Sequence, residues 1–304
     1  MESAAACDNL ELVVFPWLAF GHMIPFLELS MRLAARGHAV AFVSTPRNLA
    51  RLPRVPSELS TRLRFVPLPL PAVEGLPEGA ESTADVPHDK IELLKKAMDG
   101  LSGPLEAFLS DAAATATTAG RRPDWIIVDF CHHWVPPIAD KHKVPCAAFL
   151  NLYPTSLAFW GPPWVNAAHP RTRPEDFTVP PKWIPFPSTA FFHRHEAEWL
   201  TRAFHTNASG VSDADRLSQL FERCRLTIYR SCHELLEPRM FDLLSDPTST
   251  RSPPSQQGSC YRLITNKTSR RTAQPSPVPT KSYDGLKTSR PSRSSTWPWE
   301  ARRL

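Results

Sequence analysis

Short apolar runs alternate with amphipathic stretches along the first 246 residues, and this alternation predicts the fold. The apolar runs have the length of buried strands and lie at 11–15, 39–44, 63–67, 125–128, 146–150 and 226–229. Between them, apolar positions recur at helical spacing and predict helices at 25–36, 48–52, 90–110, 137–141, 196–207 and 212–224. We therefore expect an α/β domain with a Rossmann-like, doubly wound and mostly parallel sheet.

The first strand–helix–strand unit, residues 10–45, contains a histidine at the position where α/β folds place ligand-binding and catalytic residues. Pro25 suits the first turn of a helix because its missing N–H costs nothing there, and Gly37 is placed to end that helix. His22 is thus expected beyond the first strand, just ahead of a helix N-terminus. The partial positive charge of that terminus biases an imidazole towards its neutral form, which can take a proton. A capping or loop histidine without a chemical role is the alternative.

A second signal comes from residues 123–149, which predict a strand, a loop, a helix and another strand. Asp129 directly follows the apolar run 125–128. Because the carboxyl ends of parallel strands meet at one crevice, Asp129 can approach His22. An aspartate behind a histidine fixes its tautomer and stabilises the imidazolium that forms when it takes a proton. The alternative for Asp129 is an N-cap for the next helix or a surface carboxylate.

Several motifs agree in order and spacing with one protein family. They are the Pro16…Gly21-His22…Pro25…Leu29 run, Gly37-His38-Ala39-Val40 leading into Val43-Ser44-Thr45, and Asp124-Trp125-Ile126-Ile127-Val128-Asp129. From about residue 10 to about residue 246 the chain resembles the plant family 1 UDP-dependent glycosyltransferases that act on flavonoids and terpenoids. Two further stretches, RTRPEDFTVPPKWIPFPST (171–189) and IYRSCHELLEP (228–238), resemble the subgroup that adds a sugar to an existing glycoside.

The resemblance implies a GT-B fold, in which an N-terminal domain holds the acceptor and a C-terminal domain binds the UDP-sugar. It implies that His22 deprotonates the acceptor hydroxyl, that Asp129 supports His22, and that the oxygen then displaces UDP with inversion. It implies no metal and no covalently bound cofactor.

A pocket for a flat flavonoid or terpenoid glycoside is expected to combine apolar side chains with a few polar tips. The candidate lining residues are Trp17, Phe20, Cys131, His133, Trp134, Asn151 and Tyr153. Of these, Asn151 aligns with a family position that contacts acceptor or sugar. The Pro- and Trp-rich segment 160–192 is expected to form an ordered loop with short helices over the acceptor site, or to serve packing alone.

The C-terminal segment, residues 247–304, departs from the family pattern. It is rich in Ser, Pro and Thr and holds eleven Lys or Arg residues against two acidic ones, which predicts a disordered tail. No WAPQ-type start, no HCGWNS-like phosphate-binding run and no closing Asp-Gln occurs in the sequence. For residues 287–304, a reading frame shifted by two nucleotides can encode a stretch that resembles the start of the family's C-terminal domain. The tail is therefore interpreted as an out-of-frame translation of the donor domain.

We accordingly expect two domains of different kinds: an acceptor-binding domain over 1–246 and the tail over 247–304. Lacking the donor-binding motifs, the chain is expected to be inactive as it stands. The alternative is a non-catalytic fragment that binds an acceptor or pairs with a partner through its exposed cleft face.

Other classes of protein are disfavoured by the sequence. No second His or Cys cluster accompanies Cys131-His132-His133, so a metal site is not expected. There is no GxGxxG fingerprint for a dinucleotide and no apolar run long enough to span a membrane. The basic tail is not accompanied by a recognisable nucleic-acid-binding module, so nucleic-acid binding is not expected. Six scattered cysteines and the absence of a signal peptide predict reduced thiols in the cytoplasm.

Overall fold

The computed structural model describes residues 9–115, 122–161, 163–230 and 238–245. The predicted tail and three of the cysteines, Cys7, Cys232 and Cys260, lie outside these residues. So do most of the SCHELLEP stretch and the proposed domain boundary at residue 246. The predictions made for them therefore stay predictions.

Within the described residues six strands form one sheet, and each has the bounds that the sequence predicts. They are β1 (Glu11–Phe15), β2 (Ala39–Ser44), β3 (Leu63–Pro67), β4 (Trp125–Val128), β5 (Cys146–Leu150) and β6 (Leu226–Tyr229). Their order across the sheet is β3-β2-β1-β4-β5-β6, and every neighbouring pair is parallel. The chain order reverses between β1 and β4, which opens a crevice at the carboxyl ends of these two strands. The predicted Rossmann-like, doubly wound sheet is confirmed.

The helices lie between the strands and cover both faces of the sheet. Within the described ranges they are α1 (Phe20–Ala35), α2 (Pro46–Arg51), α3 (Ile91–Asp99), α4 (Ser102–Thr115), α5 (Val135–Lys141), α6 (Pro154–Trp160), α7 (Pro163–Ala168), α8 (Arg194–Thr201), α9 (Asp213–Arg223) and α10 (Pro238–Ser245). Short 3-10 turns occur at Ser57–Leu59, Thr83–Asp85, His88–Lys90, Pro174–Phe177 and Arg202–Phe204.

The alternation of side chains along the strands places one core on each face of the sheet. In β1, Leu12 and Val14 pack with Met23 and Phe26 of α1 on one face. Val13 and Phe15 point to the other face, where the apolar sides of α3, α4, α5 and α9 cover the sheet. Both faces of the inner strands are therefore buried, as is typical of an all-parallel sheet.

Several helix boundaries differ from the prediction. Helix α1 begins at Phe20 instead of residue 25, so Pro25 lies inside the helix. The helix predicted at 90–110 is two helices, because the chain turns at Gly100, where a Cβ would come within 2.6 Å of Pro71. The helix predicted at 196–207 ends as an α-helix at Thr201 and continues as a 3-10 turn. Helix α10 was not predicted.

The segment 160–192 contains short helices, as predicted. Two small apolar clusters hold it: one joins Leu157 and Ile184 to α9 and α10, and the other joins Phe159 and Phe177 to α8. The partly buried guanidinium of Arg171 donates to the carbonyls of Phe159 and Trp160 and lies 4.8 Å from the ring centroid of Phe177. Burial lowers the pKa of Arg171 to about 10.

Candidate active site

The crevice between β1 and β4 brings the two candidate catalytic residues together. His22 lies in the first turn of α1, and Asp129 directly follows β4. The prediction that His22 precedes the helix is wrong, because Ala19 is the N-cap and accepts a hydrogen bond from the N–H of His22. The helix N-terminus nevertheless lies beside the imidazole, as the sequence indicated.

His22 and Asp129 form a buried hydrogen-bonded pair. Nδ1 of His22 lies 2.8 Å from Oδ2 of Asp129, and the two residues are 9% and 1% exposed. The same Oδ2 accepts a hydrogen bond from the backbone N–H of Trp17, while Oδ1 accepts one from the N–H of Phe130. Backbone on both sides thus fixes the carboxylate, and the carboxylate fixes the ring.

The charges around Asp129 favour its ionised form. Burial alone would raise the pKa of this carboxyl, but His22 and the N–H of Trp17 outweigh it, and the net pKa lies below the usual value. An ionised carboxylate only accepts hydrogen bonds, so Nδ1 of His22 carries the hydrogen between them. The other ring nitrogen, Nε2, then keeps its lone pair and can accept a proton.

Asn151 donates a hydrogen bond to a carbonyl that Pro25 leaves unpaired in the helix that carries His22. Pro25 has no N–H, so the carbonyl of Gly21, four residues earlier, has no partner within the helix. Nδ2 of Asn151 donates to this carbonyl at 2.8 Å, and Arg230 donates to Oδ1 of Asn151 at 3.2 Å. The residue predicted to contact acceptor or sugar therefore ties the end of β5 to the first turn of α1.

The remaining predicted acceptor residues differ in how much surface they offer. Trp17 and Cys131 are 0% exposed and belong to the core. Trp134 packs against the same core, and its buried Nε1 has no partner among the described residues. Phe20 is partly buried beneath the guanidinium of Arg51, 4.6 Å from its ring centroid.

His133 and Tyr153 are the accessible members of the predicted pocket, together with the partly buried Phe20 and Asn151. Tyr153 is 39% exposed and is the N-cap of α6. His133 is half-buried in the loop after β4, and its Nδ1 lies 3.1 Å from Nη1 of Arg216 on α9. The sequence does not single out Arg216, because a basic residue on an amphipathic helix has the pattern of a solvent-facing one.

The described residues contain no group of three or more His, Cys, Asp or Glu side chains that could hold a metal ion. None of the helices in the described ranges is both long and apolar enough to cross a membrane.

Solved structures share this fold and so define its class. One is UGT89C1 of Arabidopsis thaliana in complex with quercetin, with a TM-score of 0.53 and 20% identity over 85% of this chain and 50% of that one. Another is UGT2 of Phytolacca americana with UDP-2fluoro-glucose and pterostilbene, with a TM-score of 0.56 and 16% identity over 83% of this chain and 53% of that one. The domain is therefore of the GT-B type.

Curated relatives define the family. The chain is 41% identical to UDP-glycosyltransferase 91C1 of Arabidopsis thaliana over 239 residues, which are 79% of this chain and 50% of that protein. It is 34% identical to the soyasaponin III rhamnosyltransferase of Glycine max over 74% of this chain and 46% of that protein. The anthocyanidin-3-O-glucoside rhamnosyltransferase of Petunia hybrida is 30% identical over 76% of this chain and 47% of its own length.

The chain belongs to the plant UDP-glycosyltransferase family, and its sequence is about 40% identical there to members numbered 91. It spans about half the length of the curated relatives that it matches, which is consistent with an N-terminal half. No protein-family model matches the chain.

Proposed function

We propose that residues 9–245 form the acceptor side of an inverting UDP-sugar-dependent glycosyltransferase, with His22 as general base and Asp129 as its support. The observation that carries this proposal is the 2.8 Å contact between Nδ1 of His22 and Oδ2 of Asp129 at the crevice between β1 and β4. Family membership and the shared fold support it.

The proposed reaction follows from the orientation of the His22 ring. Asp129 holds the hydrogen on Nδ1, so Nε2 takes the proton of the acceptor hydroxyl. The acceptor oxygen forms a bond to the anomeric carbon as the bond from that carbon to the UDP oxygen breaks. UDP leaves with the electron pair, the anomeric configuration inverts, and the imidazolium is stabilised by the carboxylate. A base placed in this way contributes about 10²–10⁴-fold to the rate.

The proposed acceptor is a flavonoid or terpenoid glycoside, and the donor is a UDP-sugar. Two relatives carry names that include a glycosylated acceptor or a saponin, and one structural neighbour was solved with quercetin. In this chain, the exposed ring of Tyr153 and the half-buried His133 and Phe20 offer aromatic surface with polar atoms.

The proposal includes a cytoplasmic location. The three cysteines that the structure describes, Cys131, Cys146 and Cys224, are all buried, and Cys131 and Cys146 are free thiols, which suits a reducing compartment. Burial raises the pKa of Cys224 to about 12, so its thiol is protonated at neutral pH. Fractionation of plant cells that express the tagged chain tests this location, and recovery with organelles contradicts it.

The first experiment is isothermal titration of the purified 304-residue chain with quercetin 3-O-glucoside and, separately, with UDP-glucose. We expect the glucoside to bind and UDP-glucose not to bind, because the sequence holds no donor-binding motif of the family. We also expect no sugar transfer by this chain alone. Binding of UDP-glucose at micromolar affinity would contradict the expected inactivity. Glucoside binding without turnover also fits the alternative of a non-catalytic acceptor-binding fragment.

A chimera distinguishes a catalytic acceptor domain from a non-catalytic acceptor-binding fragment. Residues 1–246 are joined to the part of UDP-glycosyltransferase 91C1 that the chain does not match, and sugar transfer is measured. We expect transfer by the chimera, a loss of about 10²–10⁴-fold in kcat with His22→Ala, and a similar loss with Asp129→Asn. The control His195→Ala removes an exposed histidine on α8 and should change nothing. Full activity of the His22→Ala chimera would refute the assigned base.

A further inference from the structure

Arg216 is a fully buried cation that joins three parts of the domain. It lies on α9 with 0% of its side chain exposed and makes two hydrogen bonds to the carboxylate of Asp99 on α3, at 2.7 and 2.5 Å. Its Nη2 also meets Oγ of Ser209 at 2.5 Å. Charge-paired and bonded at both terminal nitrogens, the guanidinium is held in one orientation.

The same guanidinium reaches the loop that follows Asp129. Nη1 lies 3.0 Å from the carbonyl oxygen of Cys131 and 3.1 Å from Nδ1 of His133. Nη1 carries two hydrogens and has three possible partners, Oδ1 of Asp99, the carbonyl oxygen of Cys131 and Nδ1 of His133. One hydrogen is therefore shared between two of them. Arg216 thus fixes both the backbone of this loop and the ring of His133.

The contact with Arg216 favours one of the two neutral tautomers of His133. A guanidinium only donates hydrogen bonds, so Nδ1 of His133 accepts from Arg216 when its lone pair is bare. In the other tautomer the same Nδ1 would donate to the carbonyl oxygen of Cys131, 3.4 Å away. The shorter contact with the charged donor, 3.1 Å, favours the bare Nδ1. The hydrogen of the neutral ring is then on Nε2. Burial and the positive charge of Arg216 lower the pKa of His133, while Asp99 and the Cys131 carbonyl act in the opposite direction. The net pKa lies below the usual value, so the ring is neutral at physiological pH. No described residue bonds to Nε2, and the side chain is partly exposed.

We propose that Arg216 is a positioning residue that holds His133 as a fixed Nε2–H donor for an oxygen atom of the acceptor. The inference rests on the proposed function for the presence of an acceptor. The recognised chemistry is an oxygen that accepts a hydrogen bond, such as a carbonyl, an ether or a sugar hydroxyl. His133 lies four residues beyond Asp129 in the same loop, so the acceptor is held by the loop that orients the base.

The ring state of His133 is measured first, by long-range ¹H–¹⁵N correlation spectra of the full chain at pH 7.5. We expect a protonated Nε2 and a bare Nδ1 for His133. In Arg216→Gln the tautomer should become mixed. In Lys95→Gln it should not change, because Lys95 pairs with Asp213 between the same two helices without touching the loop. A protonated Nδ1 in the unaltered chain would overturn the proposal, whether or not Arg216→Gln folds.

The donor role of His133 is then tested by titration with quercetin 3-O-glucoside. His133→Phe keeps an aromatic ring but loses the N–H, and we expect about threefold to tenfold weaker binding. His133→Gln returns an N–H donor at a similar distance from the backbone and should recover most of that loss. A His133→Gln variant as weak as His133→Phe would show that ring shape matters instead of the donor, and would refute the proposal.

The outcomes keep this inference separate from the proposed function. A wrong tautomer removes the inference, while the loss of transfer in the His22→Ala chimera still decides the role of His22. If the unaltered chain does not bind the glucoside, the acceptor side of the proposed function and the donor role of His133 both fall. Failure of the chimera to respond to His22→Ala refutes the catalytic assignment and leaves the binding result of His133 intact.

Discussion

His132 and His133 are adjacent in one loop but have different surroundings. His132 is 0% exposed, with its ring edge against Phe15 at a centroid distance of 4.5 Å. Its Nδ1 lies 3.2 Å from the carbonyl oxygen of Asp129, and Nε2 has no partner among the described residues. Burial lowers the pKa of His132 from 6.5 to about 4, despite the attraction of the Asp129 carboxylate. His132 is thus a neutral core residue.

This burial makes stability depend on pH. Between pH 6.5 and about 4 the unfolded chain binds a proton at His132 that the folded chain does not, so the free energy of unfolding falls as the pH is lowered. The contribution is fully present above pH 6.5, and roughly 3 kcal/mol is lost by pH 4. His132→Leu should remove this loss and also an unpaired buried nitrogen.

Urea denaturation at pH 7.5 and pH 4.5 checks the prediction for His132. The variant should be close to the unaltered chain at pH 7.5 and more stable than it at pH 4.5. His195→Leu, at an exposed position, is the control and should follow the unaltered chain at both values. Equal losses on acidification in His132→Leu and the unaltered chain would contradict the assignment.

At the scale of the element, α1 ends because of a glycine. Gly37 has φ +102°, and its N–H bonds to the carbonyl of Ala34. A Cβ there would come within 2.8 Å of Oδ1 of Asn9. We expect Gly37→Ala to lower the free energy of unfolding by about 1–2 kcal/mol, since L residues resist this conformation.

Gly21, at the other end of α1, is the matched control for Gly37. An added Cβ at Gly21 would have no atom within 4 Å, so Gly21→Ala should leave stability equal or raise it by about 0.5–1 kcal/mol. Guanidinium denaturation of both variants measures the difference. Equal effects at the two positions would show that backbone conformation does not decide the end of the helix.

The sequence predicts the strands better than the helices, for a physical reason. Most of these strands are short apolar runs with sharp ends, as buried parallel strands are, and all six have the predicted bounds. Pro25 was assigned to the first turn of α1 because proline has no N–H to offer. A side chain from residue 151 makes that gap tolerable inside the helix, and no local pattern reveals it.

At the scale of the whole molecule, ligand binding should stabilise the fold by mass action. We expect quercetin 3-O-glucoside at 100 times its dissociation constant to raise the free energy of unfolding by about 2.7 kcal/mol. UDP-glucose should leave the unfolding temperature of the 304-residue chain unchanged. Differential scanning fluorimetry compares the two. A shift with UDP-glucose alone would contradict the assignment of the described residues to the acceptor side.

Long-range pairing explains what the sequence could and could not predict about the site. His22 and Asp129 are 107 residues apart, but both follow strands, and the rule that parallel strands share an edge was sufficient to place them together. Arg216 meets His133 from a helix, and its direction depends on the packing of α9 against α3 and the sheet. Helical periodicity alone does not give that packing.

The hydrogen bond from Asn151 to Gly21 limits how this domain can be redesigned. Position 151 directly follows β5 and is a natural choice for altering acceptor preference, yet its amide already donates to the carbonyl of Gly21 in the helix turn that carries His22. Any replacement that cannot donate leaves a helix carbonyl without a partner beside the base, unless Pro25 is exchanged at the same time for a residue with an N–H. Positions 25 and 151 should therefore be exchanged together. A graft that replaces α1 should also carry the residue at position 151 that matches it.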